Sequence, residues 1–285
     1  MDFTIVTPSF RNSSWLKLCI PSVADQSGVS AEHIVQDACS DDGTRDWLPK
    51  DPRVKAFIEK DGGMYDAVNR GFDRSNGDLL AYLNCDEQYL PGALLAVKNH
   101  FAARPAVDAV IADTVVVNPR GDYLCHRYAY RPLPGHIFLR FTVLTSSLFI
   151  RRRVFFEKGV RLDTRWRDLG DLFWINDMLK QQVRFSVLRQ ITSVFTETGD
   201  NMNLKPNAIR ESALKDQSAP IWVKRLRWLL IGYHRWRMLS AGTFWKRPFD
   251  FSLYTADSPS CRETKRAIRP TALWTRPAPA TPAAG

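Results

Sequence analysis

The sequence has no apolar run near the roughly 18 residues a bilayer-spanning helix needs, and no internal repeat. A membrane-spanning helix and a repeat array are therefore excluded. Cysteine is scarce: Cys19, Cys39, Cys85, Cys125 and Cys261 are odd in number and scattered. They form neither a disulfide framework nor a metal-ligand spacing, and a reducing compartment fits that pattern. The chain opens on charged and then β-branched residues, so no signal peptide is expected. Asn12-Ser13-Ser14 matches a glycosylation sequon, which carries no meaning in a cytosolic protein. Nucleic-acid-binding motifs are missing as well.

What is present is a globular composition. The 285 residues, 45% of them hydrophobic, suffice for one large domain with an appendage. The net charge of +10 is uneven. Acids crowd the first hundred or so residues, and Lys and Arg dominate after Pro220. A basic surface of that kind faces an anion, either a membrane or a nucleic acid.

Phe3–Val6 reads as a short buried strand, closed by Thr7-Pro8-Ser9. Asn12–Ser14 offer N-caps to a helix that packs Trp15, Leu18 and Val23, and Pro21 predicts a kink or an early end. A second strand, His33–Gln36, leads into the Asp37–Thr44 loop, which taken alone is an ordinary solvated turn. Arg53–Ile58 reads as a strand and Tyr65–Phe72 as a helix. A further strand, Leu79–Leu83, ends abruptly in Asn84, Asp86 and Glu87. Pro91–Phe101 is a helix with proline near its start, and Val107–Ala112 a strand. Chemistry-capable residues thus follow strand after strand, the pattern of an α/β sheet with one ligand-binding edge. Thr114–Leu148 is less regular, and its His126 and His136 read as structural. Ser146–Ile150 reads as a strand, Val183–Phe195 as paired strands and Asn201–Leu214 as a polar helix.

Four motifs in order carry a resemblance. They are Phe3-Thr-Ile-Val-Thr-Pro-Ser-Phe10, Asp37-Ala-Cys-Ser-Asp-Asp-Gly-Thr44, Asp61-Gly-Gly-Met-Tyr-Asp-Ala-Val-Asn-Arg-Gly71 and Leu83-Asn-Cys-Asp-Glu87. Covering roughly the first third of the chain, they resemble the nucleotide-sugar glycosyltransferases of family 2. The resemblance implies the GT-A fold, a Rossmann-like mixed α/β sheet flanked by helices. It implies a donor site made by Thr7, Pro8, Ser9, Arg11, Asp37, Asp61, Gly62, Gly63, Tyr65, Asn69 and Asn84. Asp86 would hold a divalent cation, Mg²⁺ or Mn²⁺, on the donor diphosphate, as suits a hard carboxylate oxygen. The family often has an aspartate where this chain has Asn84, whose amide carbonyl can still act as a ligand or hold the ribose. Leu162–Lys180 is similar to the family's second signature, in which a carboxylate after a glycine opens a helix and acts as base. Asp171 matches that position and Asp168 is its rival; either acid could simply cap the helix.

Near the C-terminus, Trp222, Leu226, Leu229, Tyr233 and Trp236 recur at helical spacing. Lys224, Arg227, His234 and Arg235 lie largely opposite, and Arg225 and Arg237 flank the apolar arc. A basic amphipathic helix with Trp on its apolar face fits a membrane interface, though such a stripe is also how a core or dimer helix looks. The expected division is a GT-A domain over 1–218, a basic amphipathic membrane-associating segment over 219–255, and a disordered Pro/Ala-rich tail over 256–285. The expected reaction is inverting transfer from a nucleotide-diphosphate sugar to a saccharide or lipid-linked acceptor in polysaccharide assembly. It would take place at the cytoplasmic face of the inner membrane, on an anionic surface and without nucleic acid. A basic nucleic-acid-binding protein and a pseudo-enzyme on the same fold are the alternatives.

Overall fold

The computed structural model describes residues 1–199 and 206–274. Its strands are β1 (Phe3–Ser9), β2 (Ala31–Asp37), β3 (Lys55–Ile58), β4 (Leu79–Tyr82), β5 (Glu87–Tyr89), β6 (Ala109–Val117), β7 (Tyr123–Arg127), β8 (Leu148–Arg151), β9 (Phe185–Thr196), β10 (Phe249–Thr255) and β11 (Ser258–Ala267). The helices are α1 (Ser13–Ala24), α2 (Thr44–Trp47), α3 (Met64–Asp73), α4 (Ala93–Ala102), α5 (His136–Leu139), α6 (Arg152–Phe156), α7 (Gly170–Lys180), α8 (Pro206–Ser218), α9 (Ile221–Arg225) and α10 (Arg227–Ser240).

One mixed sheet runs β3-β2-β1-β4-β8-β6-β9-β5, with β7 also paired to β6. β3, β2, β1 and β4 are mutually parallel, so the residues that follow all four emerge at one edge. Helices cover both faces. On one, Val68 and Phe72 of α3 and Trp174, Ile175 and Met178 of α7 pack with Val6, Ile34 and Leu80. On the other, Cys19 and Val23 of α1 and Leu94, Val97 and Phe101 of α4 pack with Phe3, Ile5 and Phe149. Strands buried on both faces read as continuous apolar runs, which is why β1, β2 and β4 are visible in the sequence. The Trp174 ring lies 6.4 Å from Phe72 and 6.1 Å from Tyr82. Burying such a side chain contributes roughly 1.5–3 kcal/mol, and here it locks α7 against α3 and β4.

The sequence reading needs four corrections. α1 continues past Pro21 to Ala24 with no early end. The paired strands expected over 183–195 are one long strand, β9, which follows β6 through two register shifts and then borders β5. The tail expected to be disordered from 256 contains β11, antiparallel to β10. That hairpin is fastened to the domain: Gln88 exchanges hydrogen bonds with the Tyr254 backbone, and Arg262 and the Tyr254 hydroxyl both bond Asp25. A boundary at 255 would cut the hairpin in two. Residues 275–285, and the start of the helix expected at Asn201, lie outside the described residues.

The fourth correction concerns α9–α10. Leu226 interrupts the expected single helix between α9 and α10. His234, read as part of the polar face, is buried against His136 and Tyr130. Val223 is buried as well. The aromatic arc points outward, with Trp228 78%, Leu229 71% and Trp236 60% exposed. The side that packs is set by α5, which touches α7, α9 and α10.

Candidate active site

β1 and β2 end in Ser9 and Asp37. The Asp37 carboxylate is buried and accepts hydrogen bonds from the Ser9 hydroxyl and from the Ser40 N–H and hydroxyl. Arg11, in the left-handed region at φ +55°, donates its N–H to the Ser40 hydroxyl and its guanidinium to Asp41 at the surface. Two loops are thus tied into one rim. Thr7 lies deeper than a donor contact requires: it is buried, and its hydroxyl bonds the His33 imidazole at 2.8 Å. The Pro8 carbonyl accepts from the Cys85 thiol, which links the first loop to the one after β4.

Beyond β3, Asp61 accepts the Gly63 N–H at 2.9 Å, and the Gly62 N–H goes to Asp66. Gly63 has φ +117°, a conformation in which a side chain is strained. A Cβ there would also sit 3.1 Å from an Arg167 guanidinium nitrogen. Asn69 is buried, and its amide both donates to the Leu162 carbonyl and accepts the Leu162 N–H. It fastens the loop before α7.

After β4, the Asn84 N–H is accepted by Glu87 at 2.9 Å. Asp86 is half-buried and pushed up to about 6, by burial first and the Glu197 charge second. Glu87, at the start of β5, is fully buried. Burial, with Asp86 and Asp171 adding repulsion, pushes it up to about 8. Asp171, the second residue of α7, is pushed up to about 7, chiefly by burial. Asp86 and Asp171, from two distant parts of the chain, therefore both act on Glu87.

Tyr65 is buried beneath this group, and its hydroxyl accepts the Asp171 N–H at 3.3 Å. A Cβ on Gly170 would overlap the Tyr65 ring, so the residue before Asp171 must be glycine. Asp168 is engaged elsewhere, accepting from the Asn207 amide at 2.9 Å. Glu87 and Glu211, both important below, were not assigned roles from the sequence.

The residues present fit a divalent cation on one structural ground. The Asn84 side-chain oxygen is buried without a hydrogen-bond partner, beside Asp86, which has no Lys or Arg paired with it among the described ion pairs. Among the described residues no three His, Cys, Asp or Glu side chains group to hold a metal by themselves. A cation here would take further ligands from substrate phosphates and water, as Mg²⁺-type sites do.

Residues 4–159 match the family model for glycosyl transferase family 2. The chain is 33% identical over 91 residues to TuaG, a teichuronic acid biosynthesis glycosyltransferase of Bacillus subtilis, covering 30% of this chain and 36% of that protein. It is 29% identical over 97 residues to a Campylobacter jejuni GalNAc(5)-diNAcBac-PP-undecaprenol beta-1,3-glucosyltransferase, covering 32% of this chain and 31% of the relative. The chain thus spans about a third of the length of these relatives. Among solved structures, TarS of S. aureus in complex with UDP-GlcNAc superposes with a TM-score of 0.57 at 16% identity, over 78% of this chain and 68% of that one. A Pyrobaculum calidifontis mannosyltransferase, PcManGT, in complex with GDP-Man and Mn²⁺ gives 0.53 at 17%, over 79% and 67%. At such identities the structures show the shared fold, a GT-A sheet.

Proposed function

The chain belongs to glycosyl transferase family 2, and from that premise we propose that it is a glycosyltransferase carrying out an inverting transfer from a nucleotide-diphosphate sugar to a hydroxyl of a lipid-linked saccharide. One observation carries the reading: Asp86 and Asp171 both act on Glu87 at the carboxyl edge of the sheet, and all three acids have raised proton affinity, with no ion-pair partner among the described residues. The rim from Ser9 to Arg11, Asp37 and the Asp61-Gly62-Gly63 turn holds the nucleotide and diphosphate. Asn84 and Asp86 would hold a divalent cation, which when bound would offset charge on the departing diphosphate. Asp171 takes the proton of the acceptor hydroxyl as the oxygen attacks the anomeric carbon from the face opposite the leaving group. A base poised near neutrality suits that work. Tyr65 and Gly170 hold the carboxylate in place, and positioning of both sugars supplies much of the rest.

The acceptor reading draws on the undecaprenol-linked substrate named for the Campylobacter relative. Its support within this chain is the outward aromatic face of α9–α10, flanked by Lys224, Arg225, Arg227 and Arg235. Such a face fits an anionic bilayer surface, with the apolar side chains at the headgroup boundary and the cations above. No helix among the described residues is long and apolar enough to cross a membrane, so the contact would be peripheral, at the cytoplasmic face. On this reading residues 1–218 form the catalytic unit and α9–α10 its membrane contact.

The test is a panel of nucleotide sugars with Mn²⁺ and a polyprenyl-diphosphate saccharide in anionic vesicles. One donor should release nucleoside diphosphate in step with an inverted glycosidic linkage, scored by NMR. Retention of configuration, or no turnover with any donor, would refute the reading. A Trp228→Glu/Leu229→Glu variant should lose vesicle binding and keep its rate on a water-soluble acceptor. Unchanged flotation with vesicles would rule out the membrane face.

A further inference from the structure

We infer that Glu211, on α8, is a positioning residue that holds the turn carrying Asp171 in working geometry; the inference rests on Asp171 being the base. α7 begins without a side-chain cap of its own. The first N–H groups of a helix and of the turn before it need acceptors. Here five of them have side-chain acceptors. The Arg167, Asp168 and Leu169 N–H groups donate to the Glu211 carboxylate at 2.8, 3.0 and 2.9 Å. The Asp171 N–H goes to Tyr65, and the Leu172 N–H to the carboxylate of Asp171 itself.

Glu211 therefore caps, from more than 40 residues away, the turn that a local residue normally caps. It is 4% exposed, although α8 is polar enough to read as solvated. Burial raises its proton affinity, but the three backbone N–H groups and Asn207 outweigh this and hold it below the usual range, as a charged acceptor. The Asn207 amide donates both to Glu211 at 2.9 Å and to Asp168 at 2.9 Å. One helix thus holds the turn by its backbone and keeps the rival acid occupied.

A purely structural staple and a positioning residue make different predictions. Glu211 is also a fixed negative charge close enough to act on Asp171. Glu211→Gln keeps the volume, but it turns an amide toward N–H groups that need an acceptor, and it removes the charge. With the base misplaced, kcat should fall about 100-fold, while the donor KM stays within about twofold because Glu211 itself bonds no donor-rim residue. The acid limb of the kcat–pH profile should move to lower pH, since an anion next to Asp171 has gone. Asn207→Ala keeps the charge and should lower kcat less, with the acid limb unmoved.

Glu211→Gln with wild-type kcat and an unmoved limb, beside an inactive Asp171→Asn, would overturn the inference and leave the base assignment standing. An active Asp171→Asn would overturn the base assignment, on which this inference depends. If Glu211→Gln does not fold, Glu211→Asp decides, because it keeps the charge but draws it back by one methylene. A folded Glu211→Asp with kcat within about twofold of wild type would refute the positioning role, since a displaced base costs more than that.

Discussion

The two edges of the one sheet hold buried acids in opposite ways. At the amino edge, Glu32 at the start of β2 bonds Lys55 and Thr4 at 2.6 Å each and takes the Asn76 N–H. Burial works against it, yet these partners hold its carboxyl down at about 2. Asp108, just before β6, is bonded by Arg153 and by both the backbone and the side chain of Arg184. It too lies below the usual carboxylate range, its partners outweighing burial. At the carboxyl edge, Asp86, Glu87 and Asp171 have no such cation among the described residues and are all raised. Asp113, within β6, lies between these cases: Arg189 bonds it at 2.6 Å, and burial still pushes it up to about 6. The contrast separates acids that hold the fold from acids kept unpaired for a ligand or a proton.

The largest expected effect breaks the carboxyl edge. Asp171→Asn cannot take a proton, so kcat should fall by about 10²- to 10⁴-fold, the usual worth of general base catalysis. Nucleotide binding, read as a thermal shift, should persist. If Asp168→Asn were the inactive variant instead, the assignment within α7 would be reversed.

Next comes a stability test across the two edges. Asp108→Ala leaves two guanidinium groups and the Arg184 N–H without their acceptor, and should cost about 2–3 kcal/mol in urea unfolding, below a fully buried pair because Arg184 is exposed. Asp86→Asn removes a charge that burial disfavours, so the ligand-free protein should be no less stable, with donor-dependent turnover lost. Equal destabilisation by both variants would erase the distinction.

A smaller effect should appear with pH. Asp171 titrates near 7 and Asp86 near 6 in the fold, against about 3.9 in an unfolded chain. A raised folded value gives stability that is present below the unfolded value and lost as pH rises through the folded one. The ligand-free Tm should thus decline between about pH 4 and pH 7, and less steeply in Asp171→Asn. Glu32 works in the opposite sense: its contribution is present above about 4.3, the unfolded value, and is lost as pH falls through about 2. Turnover should rise with pH through about 7 as Asp171 ionises. A flat Tm over this range, shared by the variant, would deny the unpaired state of the carboxyl edge.

How much of this was legible differs by element. β1, β2 and β4 were readable because strands buried on both faces leave apolar runs. The motifs after them were readable because each is a local turn whose residues act within a few positions of one another. Asp171 could be found because Gly170 marks it, and the structure supplies the reason in the Tyr65 ring. The bond from Asn69 to Leu162 was not legible because its partner lies 93 residues away. The hairpin of β10 and β11 was missed because its polar, charged second strand gains order only from the domain it clasps through Asp25 and Gln88.

By itself, the sequence determined most of the strand and helix order as far as β6, the one chemical edge and the helical character of the C-terminal aromatic segment, all consequences of short-range pattern and turn chemistry. Tertiary structure alone decided which acids stand unpaired, which helix caps the Asp171 turn and which side of α9–α10 is buried. The physical reason is common to all three. Burial and pairing depend on neighbours brought together across tens of residues, as His234 meets His136 and Glu211 meets Leu169. A local pattern specifies a face, while only the assembled fold specifies what that face meets.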